Sequence, residues 1–251
     1  MKKRGDYIMY NFIEIEFLKL KRSKIFLLTI LGAIFPSFIL FLSAKFGEFS
    51  QTISLETFLH QVYMYTSVIF VIMLFTIIIS YLFGREYNEH TLKTVLTAPT
   101  SRESFILGKY IMFLVWVLII TVVTILSALA FGYLAGTTEI TMNVVLENFK
   151  QLLLCNMLLY LTFTPLVFIT MKITNLVPAI IGGAMLTFTN MIITGSKYGM
   201  YFPWSCPYLI TSGEIIEYTT NYIPSYLIIL ATFVIGLAVS YIYFIKKDVP
   251  L

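Results

Sequence analysis

The chain has 251 residues, 59% of them hydrophobic and 12% charged, with a formal net charge of +4. Soluble domains run at roughly 45–50% apolar and about 25% charged, so this balance excludes a water-soluble globule. The sequence holds no GxxxxGK[ST] phosphate loop, which excludes nucleotide hydrolysis of that recognised kind.

In chain order, residues 1–24 form a polar, basic opening segment in which Phe12, Ile13, Ile15, Phe17, Leu18 and Leu20 interleave with charges. This pattern is read as an amphipathic interfacial helix, because an unpaired strand beside a bilayer leaves backbone groups unsatisfied. A charged tail that only anchors the first span is the plainer alternative. Charge-free apolar runs follow at 25–44, 62–83, 110–131, 152–171, 176–194 and 226–245, and residues 246–251 form a basic-ended tail. Crossing ≈ 30 Å of hydrocarbon as a helix takes about 20 apolar residues, so the expected fold is an all-α polytopic membrane protein with six transmembrane helices. The first run is too long for a cleavable signal peptide.

Threading the six spans in alternation puts 14 of the 17 Lys and Arg residues on one side and only Lys45, Lys150 and Lys197 on the other. By the positive-inside rule both termini are expected in the cytoplasm of a cell-membrane protein. The net +4 is then a topology signal, and no nucleic-acid partner is expected.

The loop between the second and third spans is the longest on the basic side. Glu86 and Glu89 lead a short stretch ending at Lys93, Pro99 stops it, and Thr100 and Glu103 stand at capping-box spacing before the third span. A cytoplasmic helical hairpin is expected there, with Arg102 poorly placed in a helix's first turn and in want of an acidic partner. In span four, Pro165 should kink the helix and free a carbonyl near Leu161, with Thr162 helping to satisfy it. Asn156 in the same span is a lone amide suited to bonding another helix. In span five, Gly183, Thr187, Asn190 and Thr194 share one face, which either lines a substrate path or packs against a neighbouring helix. The segment 195–224 is too apolar for an ordinary loop. Phe202, Pro203, Trp204 and Pro207 make it either a re-entrant element that serves as an outer gate or an aromatic belt at headgroup level.

Cys155 and Cys206 form no disulfide framework, although a single bridge between them stays open. His60 and His90 lack partners at metal-ligand spacing, so no metal is expected.

The run Glu86-Tyr87-Asn88-Glu89-His90-Thr91-Leu92-Lys93, followed by Leu96, Pro99, Ser101-Arg102 and Gly108-Lys109, resembles the corresponding loop of ABC-2 permeases of ABC transporters. The resemblance covers nearly the whole chain and is strongest to the six-span subunits of bacitracin and lantibiotic export systems. His90 stands where that family often has Gly, which removes backbone freedom at one point. The outer run from Phe202 to Pro207 is also similar to the segment those permeases carry before their last span.

The resemblance implies a permease that pairs with a second copy or a sibling permease and works with a separate ABC ATPase subunit, the partner that binds ATP and Mg. It implies no cofactor in this chain and no catalytic residue of its own. Glu86, Glu89, His90, Thr91, Leu92, Pro99 and Arg102 are the expected ATPase-coupling residues, and the expected cargo is an amphiphilic peptide antibiotic. The alternatives are a non-transporting membrane scaffold or sensor subunit, or an ABC-2 permease for another substrate. A membrane enzyme finds no support, since HExxH, GxSxG and carboxylates within spans are all lacking.

Overall fold

The computed structural model describes residues 17, 19, 23–47, 53–88, 102–139, 141–173 and 176–246, with the backbone alone at 86–88 and 176. The chain builds six helices long and apolar enough to cross a bilayer, and no strand occurs among the described residues. It is an all-α polytopic membrane protein.

The first helix, α1 (Lys24–Phe46), starts where the Ser23 hydroxyl accepts the Ile25 amide at 3.1 Å. It stops at Gly47, whose N–H returns to the Ser43 carbonyl at 2.9 Å. Ser54 likewise caps α2 (Leu55–Tyr65), accepting from Thr57 N–H at 3.2 Å, with Glu56 in the first turn on the side the helix dipole favours. Then α2 runs through a π-helical turn (Thr66–Phe70) into α3 (Val71–Asn88). Together they make one apolar rod, Leu55–Arg85.

Next come α4 (Arg102–Ala135), α5 (Met142–Thr162), α6 (Thr164–Ile173) and α7 (Leu176–Thr194). A short helix α8 (Cys206–Ser212), flanked by 3₁₀ turns at Gly199–Tyr201 and Glu214–Glu217, precedes α9 (Ile223–Lys246). The helices overrun several of the apolar runs. Polar residues such as Glu56, His60, Arg102, Glu103, Glu147 and Lys150 continue them, because a helix end beyond the hydrocarbon tolerates charge.

The α2–π–α3 rod is the centre of the bundle. Of its most apolar window 72% is buried, against 22% for α1 and for α9, whose outward faces carry Leu27, Leu31, Leu227 and Leu230. Phe75 of α3 meets Phe113 of α4 and Phe163 edge-on, at ring separations of 5.3 and 5.4 Å. In lipid, apolar burial gives little drive for helices to associate, so close packing and interhelical hydrogen bonds must hold the bundle. The α1–α4 pair shows both, with Ser37 and Ser127 hydroxyls at 3.1 Å and Trp116 Nε1 donating to Thr29 Oγ1 at 3.0 Å.

The fourth span is interrupted rather than merely bent. Phe163 forms a turn between α5 and α6, and Pro165, lacking an amide, cannot bond the Leu161 carbonyl. The freed carbonyl is the expected one, but its partner is not Thr162. Thr164 Oγ1 donates to Leu161 at 3.0 Å, while Thr162 turns back to Leu159. The reason is position, since Thr164 also lies within reach of the Phe233 carbonyl of α9 at 3.2 Å, and Ser240 Oγ donates to the Thr164 carbonyl at 3.3 Å. Gly236 makes this possible, because a methyl there would overlap the Pro165 backbone nitrogen.

Candidate functional site

The four-residue stripe of α7 is buried and faces the central rod. A methyl at Gly183 would overlap Thr76 of α3, so the two backbones approach closely there. Asn190 is fully buried and does most of the joining. Its Nδ2 donates to the Val68 carbonyl inside the π turn at 3.0 Å, and its Oδ1 accepts from Ser205 Oγ at 2.9 Å. Thr187 and Thr194 bond back to the Gly183 and Asn190 carbonyls. The stripe thus fastens α7 to α3 and to the segment before α8. Asn156 lies elsewhere, between α5 and α4, donating to Thr121 Oγ1 at 2.8 Å.

The segment expected to gate is folded into the bundle. Residues 205–209 are all buried, and Pro207 sits in the first turn of α8, where its missing amide costs nothing. Trp204 packs against Phe202 at 5.2 Å and against Phe163, at the break in the fourth span, at 6.5 Å. Pro203 is half-buried beside them. Tyr63 of α2 reaches the same helix, its hydroxyl against Thr211 Oγ1 and its ring 5.4 Å from Tyr208. Cys155 and Cys206 are both free and buried, so the open bridge is not formed. Burial pushes the Cys206 thiol up to about 11.

At the opposite end of the bundle, most of the expected coupling loop lies outside the described residues. Glu89, His90, Thr91, Leu92 and Pro99 are among these, as is nearly all of the expected N-terminal interfacial helix; Glu86 is described only as backbone at the end of α3. Phe17 and Lys19 are helical. Arg102 opens α4, and its guanidinium donates to the Ile245 carbonyl at 2.8 Å. One partner is therefore the carbonyl end of α9, where a cation suits the helix dipole; the side chains of the expected acidic partners, Glu86 and Glu89, lie outside the described residues. One residue on, Glu103 accepts from the Tyr241 hydroxyl at 2.8 Å, and Phe105 stacks on Phe244 at 5.3 Å. Lys109 is buried, donating to the Leu82 carbonyl of α3 with its ammonium 4.9 Å from the Phe105 ring centre. These contacts tie the exit of the loop to the last span and to the central rod.

A cavity that the sequence gave no sign of lies between the π turn, the end of α7 and the 3₁₀ turn after α8. It holds about 230 Å³ and is lined by Met64, Tyr65, Val68 and Ile69 of the central rod, by Met191, Thr194 and Gly195, and by Tyr208, Glu214 and Tyr218. Thr194 is the one stripe residue on its wall. Glu214 was missed because a single carboxylate in a loop carries no motif; its partners come only from the fold.

A family model described as an ABC-2 family transporter protein matches residues 12–192. The chain belongs to the ABC-2 transporter family. It is also 37% identical over 177 residues to the bacitracin transport permease protein BCRB of Bacillus licheniformis, covering 70% of this chain and 84% of that one. The ABC-2 family match includes the π turn, the break in span four and all but the last two residues of α7. The chain is accordingly an ABC-2 permease and a multi-pass membrane protein.

Proposed function

We propose that this ABC-2 permease is the membrane subunit of an exporter that removes an amphiphilic peptide antibiotic from the cell membrane. The observation that carries the reading is the 37% identity to a bacitracin transport permease over most of both chains. ATP hydrolysis is assigned to a separate ABC ATPase subunit, which binds ATP and Mg, and a second permease copy or a sibling completes the pathway. The ATPase docks at the basic end of the bundle, on the loop led by Glu86, Glu89, His90, Thr91 and Leu92 and closed by Pro99 and Arg102. Support for that site comes from the anchoring of the loop's exit: Arg102 and Glu103 grip α9, and Lys109 grips α3, so a push on the loop reaches two spans directly. Both termini are assigned to the cytoplasm on the distribution of Lys and Arg.

The test is affinity purification of the tagged chain from its host membrane, together with tolerance to bacitracin and to a lantibiotic with and without the gene. An ABC ATPase should copurify, and deletion should lower tolerance to one of the two peptides. Unchanged tolerance to both would sink the antibiotic assignment, and absence of an ATPase from a stable preparation would sink the exporter assignment.

A further inference from the structure

The cavity beside the π turn combines three features that together describe a ligand. Among the described residues, its wall carries one carboxylate and no basic side chain. Tyr65, Tyr208 and Tyr218 stand on its wall, and tyrosine rings attract cations. The rest is Met64, Val68, Ile69 and Met191, apolar side chains of which the methionines adapt to irregular shapes.

The carboxylate is held in place. Gly213 takes the left-handed conformation, φ +82°, which turns the chain from α8 into the next turn, and the Glu214 amide then donates to Ser212 Oγ at 3.2 Å. The Tyr208 hydroxyl donates to Oε1 of Glu214. Burial, with Glu214 beside it, raises the Tyr208 phenol, so it stays a donor throughout the working range. Among the described residues no hydrogen bond is made to Oε2, which leaves an oriented acceptor.

Tyr65 and Met191 are 39% and 55% exposed on the outside of the bundle, so the cavity opens at the protein surface. About 230 Å³ is too small for a whole peptide and suits one charged arm with a few methylenes. We propose that this cavity is a binding site for the cationic arm of an amphiphile, an ammonium or guanidinium on an alkyl stem, with Glu214 taking the charge, the tyrosines stacking around it and the stem lying along Met64 and Met191. It deepens the export reading by naming the group of the substrate that is recognised, and rests on that reading only for the ligand's identity in the cell. Charge distribution also favours it: among the described residues, the end of the bundle that carries Glu214 holds five carboxylates and three lysines.

The site is tested on the full-length permease in phosphatidylcholine vesicles, without ATPase or antibiotic, so that its outcome is separate from that of the export assay. Two photoprobes are compared, a dodecylammonium and a dodecanol carrying the same mid-chain diazirine. Labelling of residues 64–69 and 191–195 is normalised to labelling of the lipid-facing Leu227 and Leu230. The ammonium probe should exceed the alcohol by about tenfold, the ratio expected of a hydrogen bond to a charged group. Glu214→Gln should abolish that excess, Tyr208→Phe should keep it because the carboxylate remains, and Glu147→Gln should leave it unchanged. On the wild-type protein, unlabelled tetradecylammonium should displace the probe and tetradecanol should not. Equal normalised labelling by both probes, survival of the excess in Glu214→Gln, or displacement by the alcohol overturns the proposal and makes the cavity an ordinary lipid-filled groove.

Discussion

Adjacent glycines in α7 separate packing from mere helix composition. At Gly183 an added methyl meets Thr76, and that side chain is itself committed, its Oγ1 donating to the Ile72 carbonyl at 2.9 Å. At Gly182 the same methyl meets open space. Gly183→Ala should therefore push α7 from the central rod and cost about 1–3 kcal/mol. Gly182→Ala should be neutral or gain up to about 1 kcal/mol from helix propensity. Unfolding of the purified variants in mixed micelles with rising dodecyl sulfate measures both, and equal effects would mean that α7 does not press on α3 at Gly183. The recurrence of Gly183, Thr187, Asn190 and Thr194 was legible in the sequence as one helical face. What that face touches was not, because Asn190 and Val68 lie 122 positions apart and a main-chain acceptor leaves no mark on residue choice.

At the scale of elements, two departures from regular helix matter, and they differ in how visible they were. Pro165 announced a kink in span four through its missing amide, though not a full interruption, and so the freed Leu161 carbonyl could be named in advance. Which hydroxyl would satisfy it depended on α9, where Gly236 lets Thr164 approach the Phe233 carbonyl. The π turn has no such marker, since the residues Thr66 to Phe70 include neither proline nor glycine. A cycle of variants tests the account of the break. Thr164→Val should cost roughly 0.5–2 kcal/mol when Pro165 is present, because the Leu161 carbonyl loses its hydroxyl donor in lipid. With Pro165→Ala the amide of residue 165 becomes available to that carbonyl, and the same change should cost measurably less by the dodecyl sulfate titration. An equal cost in both backgrounds would place the value of the hydroxyl in its contact with α9 instead.

For the whole molecule, the six spans were readable because backbone in lipid must satisfy itself within one helix, which forces long charge-free runs onto the sequence. The positions of the helix ends were less readable, since α2 and α4 continue through charged residues that sit beyond the apolar runs. Orientation depends on a different signal, the 14 to 3 division of Lys and Arg, and it governs where both the coupling loop and the Glu214 cavity lie. The native cysteines make a direct test simple. Cys155 and Cys206 are both buried, Cys206 Sγ lies 3.1 Å from the Met200 carbonyl, and burial keeps the Cys206 thiol protonated at neutral pH. An impermeant maleimide reacts with exposed thiolate, so the wild-type permease should stay unlabelled in intact cells. Single cysteines at Tyr198 and Glu217, both exposed at the end that holds Glu214, should then react from outside without permeabilisation. Cysteines at Thr97 and Ile173 should react only after the membrane is opened. These four positions leave every Lys and Arg in place, so the substitutions do not disturb the signal under test. Labelling of Thr97→Cys or Ile173→Cys in intact cells would reverse the bundle, put the cavity on the cytoplasmic side and remove the coupling loop from reach of any ATPase.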